Sequence, residues 1–222
     1  MSLDITLTKE RHPGRWVALI IVVIVLGAAG WFGYKWYTTG EEVPIPLPVV
    51  SADSRVDESS VNVADHTVDD IQLRYLRIPS LGVESARVLA VTTDQYNVLQ
   101  FAGNINDVGW FEESATPGSG GVIIVNGHGK GVRASGPFVA LESLAVGSDI
   151  IVERGDGEIF VYTVADKKVL PYDEANTTGM INMGKSATPG TEALNIIAPT
   201  GTWLPRVGTF EDRVMLRSVL QE

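Results

Sequence analysis

Three positions carry side chains whose types could do chemistry. His128 sits in Gly127-His128-Gly129, at the end of the apolar run Val122–Asn126. Arg213 follows Glu211-Asp212, and Thr200 offers a hydroxyl within Pro199-Thr200-Gly201. A histidine titrates near neutral pH and can move a proton. A guanidinium stays charged and can hold a carbonyl or oxyanion by hydrogen bonds. A threonine hydroxyl attacks only beside a base that is neutral and aligned. Taken alone, His128 also fits an ordinary hydrogen-bonded turn residue, and Arg213 one half of a surface ion pair worth little.

Much other chemistry is excluded or not expected. The 222 residues include no cysteine, so there is no disulfide, no thiolate metal site and no thiol nucleophile. With only His12, His66 and His128, a multi-histidine metal centre is not expected, and no cofactor is. His66 and the acidic residues around it fit a solvated stretch better than a metal cluster. Gly127–Gly131 has the glycines of a phosphate loop but neither its spacing nor a following helix. A net charge of -10 without a basic stripe argues against nucleic acid as a partner.

These residues need elements to position them. After a polar tail, 1–15, the run Trp16–Tyr34 has no charged residue. As a helix it spans about 28 Å, close to the hydrocarbon thickness of a bilayer. Aromatic residues flank it, and Lys9, Arg11 and Arg15 precede it, so the positive-inside rule puts the N-terminus in the cytoplasm. The expectation is a single-pass anchor over 16–37 in a cell membrane, with everything after it extracytoplasmic. A cleaved signal peptide is the alternative, but Gly27-Ala28-Ala29-Gly30 fits its cleavage site only loosely. Residues 38–70, with Pro44, Pro46 and Pro48 followed by six acidic residues, suggest an extended acidic linker unable to fold alone. Val61-Asn62-Val63 is its one candidate edge strand.

From Ile71 the pattern changes to short strands: Ile71–Ile78, Ala86–Val91, Val122–Asn126, Asp149–Arg154, Ile159–Leu170, Leu194–Ala198 and Val214–Leu220. Gly155-Asp156-Gly157 suggests a hairpin turn, and Phe138–Leu144 a helical turn or two. Trp110 and Trp203 read as packing residues. Many short strands with no long amphipathic helix imply an all-β fold, a sandwich or barrel, over 71–222.

Several blocks, in order, resemble the sortases, membrane-anchored transpeptidases of bacterial cell surfaces. Leu76-Arg77-Ile78-Pro79-Ser80-Leu81-Gly82-Val83 is similar to the family's opening strand and turn. Val108-Gly109-Trp110-Phe111 and Ser114–Gly118 resemble the segment before the histidine strand, and Val122–Gly129 that strand itself. Leu194–Thr200 resembles the strand that ends in the nucleophilic cysteine, and Thr209–Val214 the strand that bears the catalytic arginine. The resemblance covers roughly residues 72–219. It implies a closed sortase-like β-barrel with short helical turns, with His128 as the acid, Arg213 as the oxyanion or substrate donor, and a groove for a sorting-signal peptide or a surface-protein or pilin tail. It also implies that Pro171–Ala193 shapes that groove, with Met180, Ile181 and Met183 on its inner face.

The departure is at the nucleophile. Where the family has Thr-Leu-x-Thr-Cys, this chain has Asn195-Ile196-Ile197-Ala198-Pro199, and Pro199 has no nucleophilic side chain. Thioester chemistry is therefore excluded. Three functions follow as expectations. The first is a degenerate sortase that binds tails or a partner sortase through His128 and Arg213. The second is an active hydrolase or transpeptidase using Thr200, which requires its hydroxyl within reach of His128. The third is a scaffold whose groove is filled by its own side chains.

Overall fold

A computed structural model describes residues 13–39 and 52–221. The tail 1–12 and the linker stretch 40–51, with Glu41, Glu42 and the three alternating prolines, lie outside the described residues. The chain divides into two units, Met1–Val49 and Val50–Glu222. The first contains a helix, α1, Pro13–Thr39, on which Val17 and all of Leu19–Leu26 are exposed. Among the described residues, no helix is long and apolar enough to cross a membrane.

The second unit is an eight-stranded closed barrel: β1 Leu73–Ile78, β2 Val83–Val91, β3 Val108–Phe111, β4 Val122–Gly127, β5 Asp149–Arg154, β6 Ile159–Pro171, β7 Ala193–Leu204 and β8 Thr209–Leu220. The strand order is β1-β2-β3-β4-β7-β8-β6-β5, with β5 returning to β1. Closure removes the exposed strand edges that would otherwise template aggregation. Only β2–β3 and β4–β7 are parallel.

Period-two alternation decides what fills the barrel. Ile123 and Val125 of β4, Leu194, Ile196 and Ala198 of β7, and Val214 and Leu216 of β8 are buried in its interior. Their neighbours Ile124, Ile197 and Met215 form a second cluster with Ala175 and Met183, packed by Leu99, Phe111 and Met180. Ala175, Met180 and Met183 come from a helical segment made of an α turn at Tyr172–Glu174, a π turn at Ala175–Gly179 and an α turn at Met180–Met183. Asn195 ties its end to the sheet, its Nδ2 donating to the carbonyls of Met183 (2.7 Å) and Lys185 (3.1 Å).

Every strand expected from Ile71 onward is present. β3 was not anticipated as a strand, since four residues that include a glycine give too short an alternation to read. β7 and β8 are longer than expected because they continue as a hairpin, with Trp203 and Phe210 in edge contact at 5.1 Å. Trp110 is buried, its Nε1 donating to the Ala115 carbonyl at 3.1 Å, and packs as expected. The helical turn in 138–144 is a 3-10 turn, Leu141–Ser143. Val61–Val63 forms no strand; its Val63 carbonyl instead accepts the Tyr75 hydroxyl at 2.5 Å.

Residues 52–66 run along the barrel as a strap. It has no core of its own, as its composition requires, and polar contacts hold it. Asp53 binds Arg55, whose Nη2 donates to the Gly208 carbonyl (3.0 Å) in the β7–β8 turn. Asp57 forms a parallel bridge with Asn104, and Glu58 reaches the loop after β4. His66 Nε2 donates to the Val88 carbonyl at 2.9 Å, and among the described residues no group of side chains could hold a metal ion.

At the other end of the barrel the Glu192 carboxylate is buried and accepts the Gly118 N–H (3.0 Å), the Gly120 N–H (2.7 Å) and the Tyr162 hydroxyl (2.7 Å). Burial, and then the Glu192 hydrogen bond, raise the Tyr162 phenol well above its ordinary pKa. Removing the carboxylate leaves the buried Tyr162 hydroxyl and two part-buried amides without their acceptor. Glu192→Ala should lower the unfolding free energy by ~2–4 kcal/mol in urea titration, and Tyr162→Phe by about 1 kcal/mol.

The Arg55 guanidinium beside it holds the Asp53 carboxyl below its ordinary pKa, against the opposing effect of partial burial. A carboxyl depressed in this way adds stability that is complete above its unfolded value and is lost as pH falls through the lower folded value. NMR titration should therefore find Asp53 titrating below the ordinary aspartate range of about 3.9, and moving up towards it in Arg55→Met. An unchanged Asp53 titration in that variant would refute the clamp.

Candidate functional site

The parallel pairing of β4 with β7 holds a constant register from Val122↔Ala193 to Asn126↔Ile197. Two residues further on, that register brings His128 beside Pro199. The approach is direct at Gly129, where a Cβ would lie 2.8 Å from the Pro199 carbonyl oxygen. On the other side of β7, Pro199 pairs with Arg213 across the antiparallel β7–β8 ladder. His128, Pro199 and Arg213 thus occupy adjacent positions on three neighbouring strands. Pro199 stands between the other two, half-buried.

His128 is held on two sides. Its Nε2 donates to the Ala102 carbonyl at 2.7 Å, and Phe101 packs on its ring at 5.2 Å. That bond fixes the tautomer with the proton on Nε2 and leaves Nδ1 as the free acceptor. The strap passes close enough to His128 that a proton added there would act, behind Arg55, to lower the Asp53 carboxyl further.

Arg213 is buried, at 6% exposure. Its Nη1 donates to the carbonyls of Phe210 (3.0 Å) and Asp212 (2.9 Å), and its Nη2 to Thr209 Oγ1. The guanidinium lies over the Tyr172 ring at 4.7 Å. Burial lowers its pKa, opposed by Tyr172 and Asp212. Of its five N–H groups, those on Nη1 and one on Nη2 are committed to the β7–β8 hairpin, which leaves Nε and the remainder of Nη2 for a ligand.

Thr200 lies on the opposite side of the strand. Its hydroxyl donates to Glu142 Oε2 at 3.0 Å, on the 3-10 turn Leu141–Ser143. Lys167 steadies that turn, its Nζ donating to the carbonyls of Glu142 and Leu144. A hydroxyl that donates to a carboxylate on this side is not aligned on His128.

The outer face leading away from Pro199 is closed over by its own chain. Ile124, Ile197 and Met215 lie beneath Leu99, Phe111, Met180 and Met183. Of the three apolar residues expected to line this stretch, Met183 faces the sheet and Ile181 is 64% exposed. Sequence reasoning did not find Ala102, Phe101, Glu142, Tyr172 or Asp53. All but Asp53, which binds Arg55 two residues on, act through a contact between residues distant in sequence, and none sits in a motif. Asn195 enters the sequence reading only as the first residue of the segment aligned with the nucleophile strand. Its carboxamide in an otherwise apolar run was the available signal.

With this geometry in view, comparison with known proteins is direct. The Sortase domain family model matches residues 76–217. A lid mutant of sortase A from Corynebacterium diphtheriae superposes with a TM-score of 0.50 at 18% identity, over 68% of this chain and 70% of that one. A lid mutant of Streptococcus agalactiae sortase C1 does so with a TM-score of 0.50 at 17% identity, over 73% and 76%. No curated protein matches the chain. At such identities the structures establish the shared fold, and the family model, which spans well over half the sequence, establishes that the chain belongs to the sortase family.

Proposed function

We propose that this protein is a cysteine-less sortase that no longer performs transpeptidation and instead binds an extended peptide, the tail of a surface protein or pilin, beside His128, Pro199 and Arg213. The observation that carries this is the position of Pro199. The residue in register between His128 and Arg213 has no atom that can attack a carbonyl, so no acyl-enzyme can form there. His128 and Arg213 then act as polar anchors. His128 Nδ1 can accept a peptide N–H, and the uncommitted Arg213 donors can hold a peptide carbonyl. A sorting signal is the ligand class that family membership suggests, and a partner sortase is a second candidate.

Anchoring belongs to the same proposal. The apolar run in α1, its aromatic flanks and the basic residues before it support a single-pass membrane anchor with a cytoplasmic N-terminus and an extracytoplasmic barrel. Hydrolysis or transfer by Thr200 loses support from the Thr200–Glu142 bond. A scaffold role is the second reading, and the packed outer face beyond Pro199 favours it.

The test uses the full chain in detergent micelles with fluorescent sorting-signal peptides and a small amine acceptor. Peptide should bind without being cleaved. Arg213→Met and His128→Ala should each weaken binding by about tenfold, the loss expected when charge-assisted or buried hydrogen bonds go. Cleavage that disappears in Thr200→Ala would establish a hydroxyl-based enzyme instead. Neither binding nor cleavage would leave the scaffold.

A further inference from the structure

The site histidine is followed by the loop Gly129-Lys130-Gly131-Val132-Arg133-Ala134. It closes on itself, with the Gly131 N–H donating to the Ala134 carbonyl (2.9 Å) and a bridge between Lys130 and Ser135. Three successive backbone N–H groups are left facing one point, and a carboxylate occupies it. Glu58 Oε1 accepts the Val132 N–H at 2.5 Å, while Oε2 accepts those of Arg133 (2.8 Å) and Ala134 (3.1 Å). Successive N–H groups converging in this way form a concavity for anions.

The cradle is built to fit a carboxylate. A Cβ on Gly131 would lie 2.5 Å from Glu58 Oε1 and 2.3 Å from Ile105 Cδ1, so a side chain at 131 would fill the space the oxygen uses. Lys130 and Arg133 flank it, both exposed, and neither side chain has an ion-pair or hydrogen-bond partner among the described residues. In a chain of net charge -10, two unpaired cations and three convergent amides in six residues form a local reversal of charge. The carboxylate is delivered on an extended segment whose main chain pairs with the protein: the Asp57 N–H donates to the Gly103 carbonyl (3.2 Å), and the Ile105 N–H to the Asp57 carbonyl (2.8 Å). The protein therefore already displays an acidic peptide bound in extended form next to the histidine loop.

We propose that the Gly131–Ala134 loop is a carboxylate-binding site for an acidic partner peptide, and that Glu58 is its internal stand-in, displaced when the partner binds. This deepens the peptide-binding function proposed above and rests on it for the partner's identity as a peptide. It adds that the partner carries a carboxylate, on a glutamate or aspartate side chain or at its C-terminus, where it reaches this loop. Release of Glu58 costs the strap the three amide bonds, and a partner carboxylate regains them. Lys130 and Arg133, which Glu58 leaves unpaired, are then available to further acidic residues of the partner.

The experiment uses the full chain in micelles carrying Glu58→Ala, which empties the cradle without touching His128, Pro199 or Arg213. The probe is an acetylated, amidated peptide copying residues 54–60, and its comparators replace the glutamate by glutamine or carry a free C-terminal carboxylate in place of the acid. Backbone NMR should show the probe shifting the Val132, Arg133 and Ala134 amides. The glutamine peptide should bind at least about tenfold more weakly. The wild-type chain, with Glu58 in place, should also bind the probe at least about tenfold more weakly. Binding by the C-terminal peptide but not the glutamate peptide would assign the partner's carboxylate to its terminus, with the same three amides reporting. Adding Gly131→Ala should abolish the shifts while thermal unfolding shows the barrel intact. Equal binding of the glutamate and glutamine peptides, or binding that leaves residues 132–134 unmoved, overturns the proposal. Shifts confined to the neighbours of Pro199 and Arg213 would overturn it while sparing the broader peptide-binding function.

Discussion

The parallel pairing of β4 with β7 is the constraint on which the rest of the site depends. Parallel strands cannot be joined by a tight turn, so everything between residues 128 and 192 leaves the β4 end, builds β5, β6 and the helical segment, and returns at the β7 start. In exchange, both strands run in the same direction to the same rim. A one-residue slip would turn Leu194, Ile196 and Ala198 out of the barrel, so the hydrophobic interior fixes the register. That register sets His128 beside Pro199, and the β7–β8 hairpin sets Arg213 on the other side. The geometry of the site is thus a by-product of core packing.

The proposed loss of transfer chemistry rests on what the side chains do with that geometry. A nucleophile must be activated by a neighbouring base and the oxyanion met by uncommitted donors. Here the central position is a proline, and the nearest hydroxyl is bound to Glu142 on the far side of the strand. Much of the arginine's donor capacity is spent on its own hairpin, under the Tyr172 ring. The histidine holds its Nε2 proton on the Ala102 carbonyl. Each of these contacts stabilises a static arrangement. The proposed recognition role would draw on this, since fixed donors and acceptors lower the ordering cost of binding.

The barrel was largely legible in the sequence because alternation is local. Ile71–Ile78, Asp149–Arg154 and Leu194–Ala198 each announce a strand without reference to the rest of the chain. The sortase resemblance placed His128, Pro199 and Arg213, and the strand registers explain why those three fall together. The strap was not legible. Glu58 and Asp53 sit in a stretch whose composition suggests a linker, and composition cannot say that three amides 74–76 residues away would hold one of its carboxylates. Similarly, nothing around Glu142 marks it as the partner of Thr200, since that contact exists only once β7 passes the Leu141–Ser143 turn.

The central claim is that the nucleophile position is filled by a residue that cannot react, within a site whose strand geometry is otherwise intact. Intact-mass spectrometry tests it most directly, comparing the native chain with Pro199→Cys after exposure to a sorting-signal peptide carrying an electrophilic warhead. The account predicts no mass increase for the native chain and a single adduct on Pro199→Cys, located at residue 199 by peptide mapping. An adduct on the native chain, at Thr200 or any other residue of the site, would contradict it.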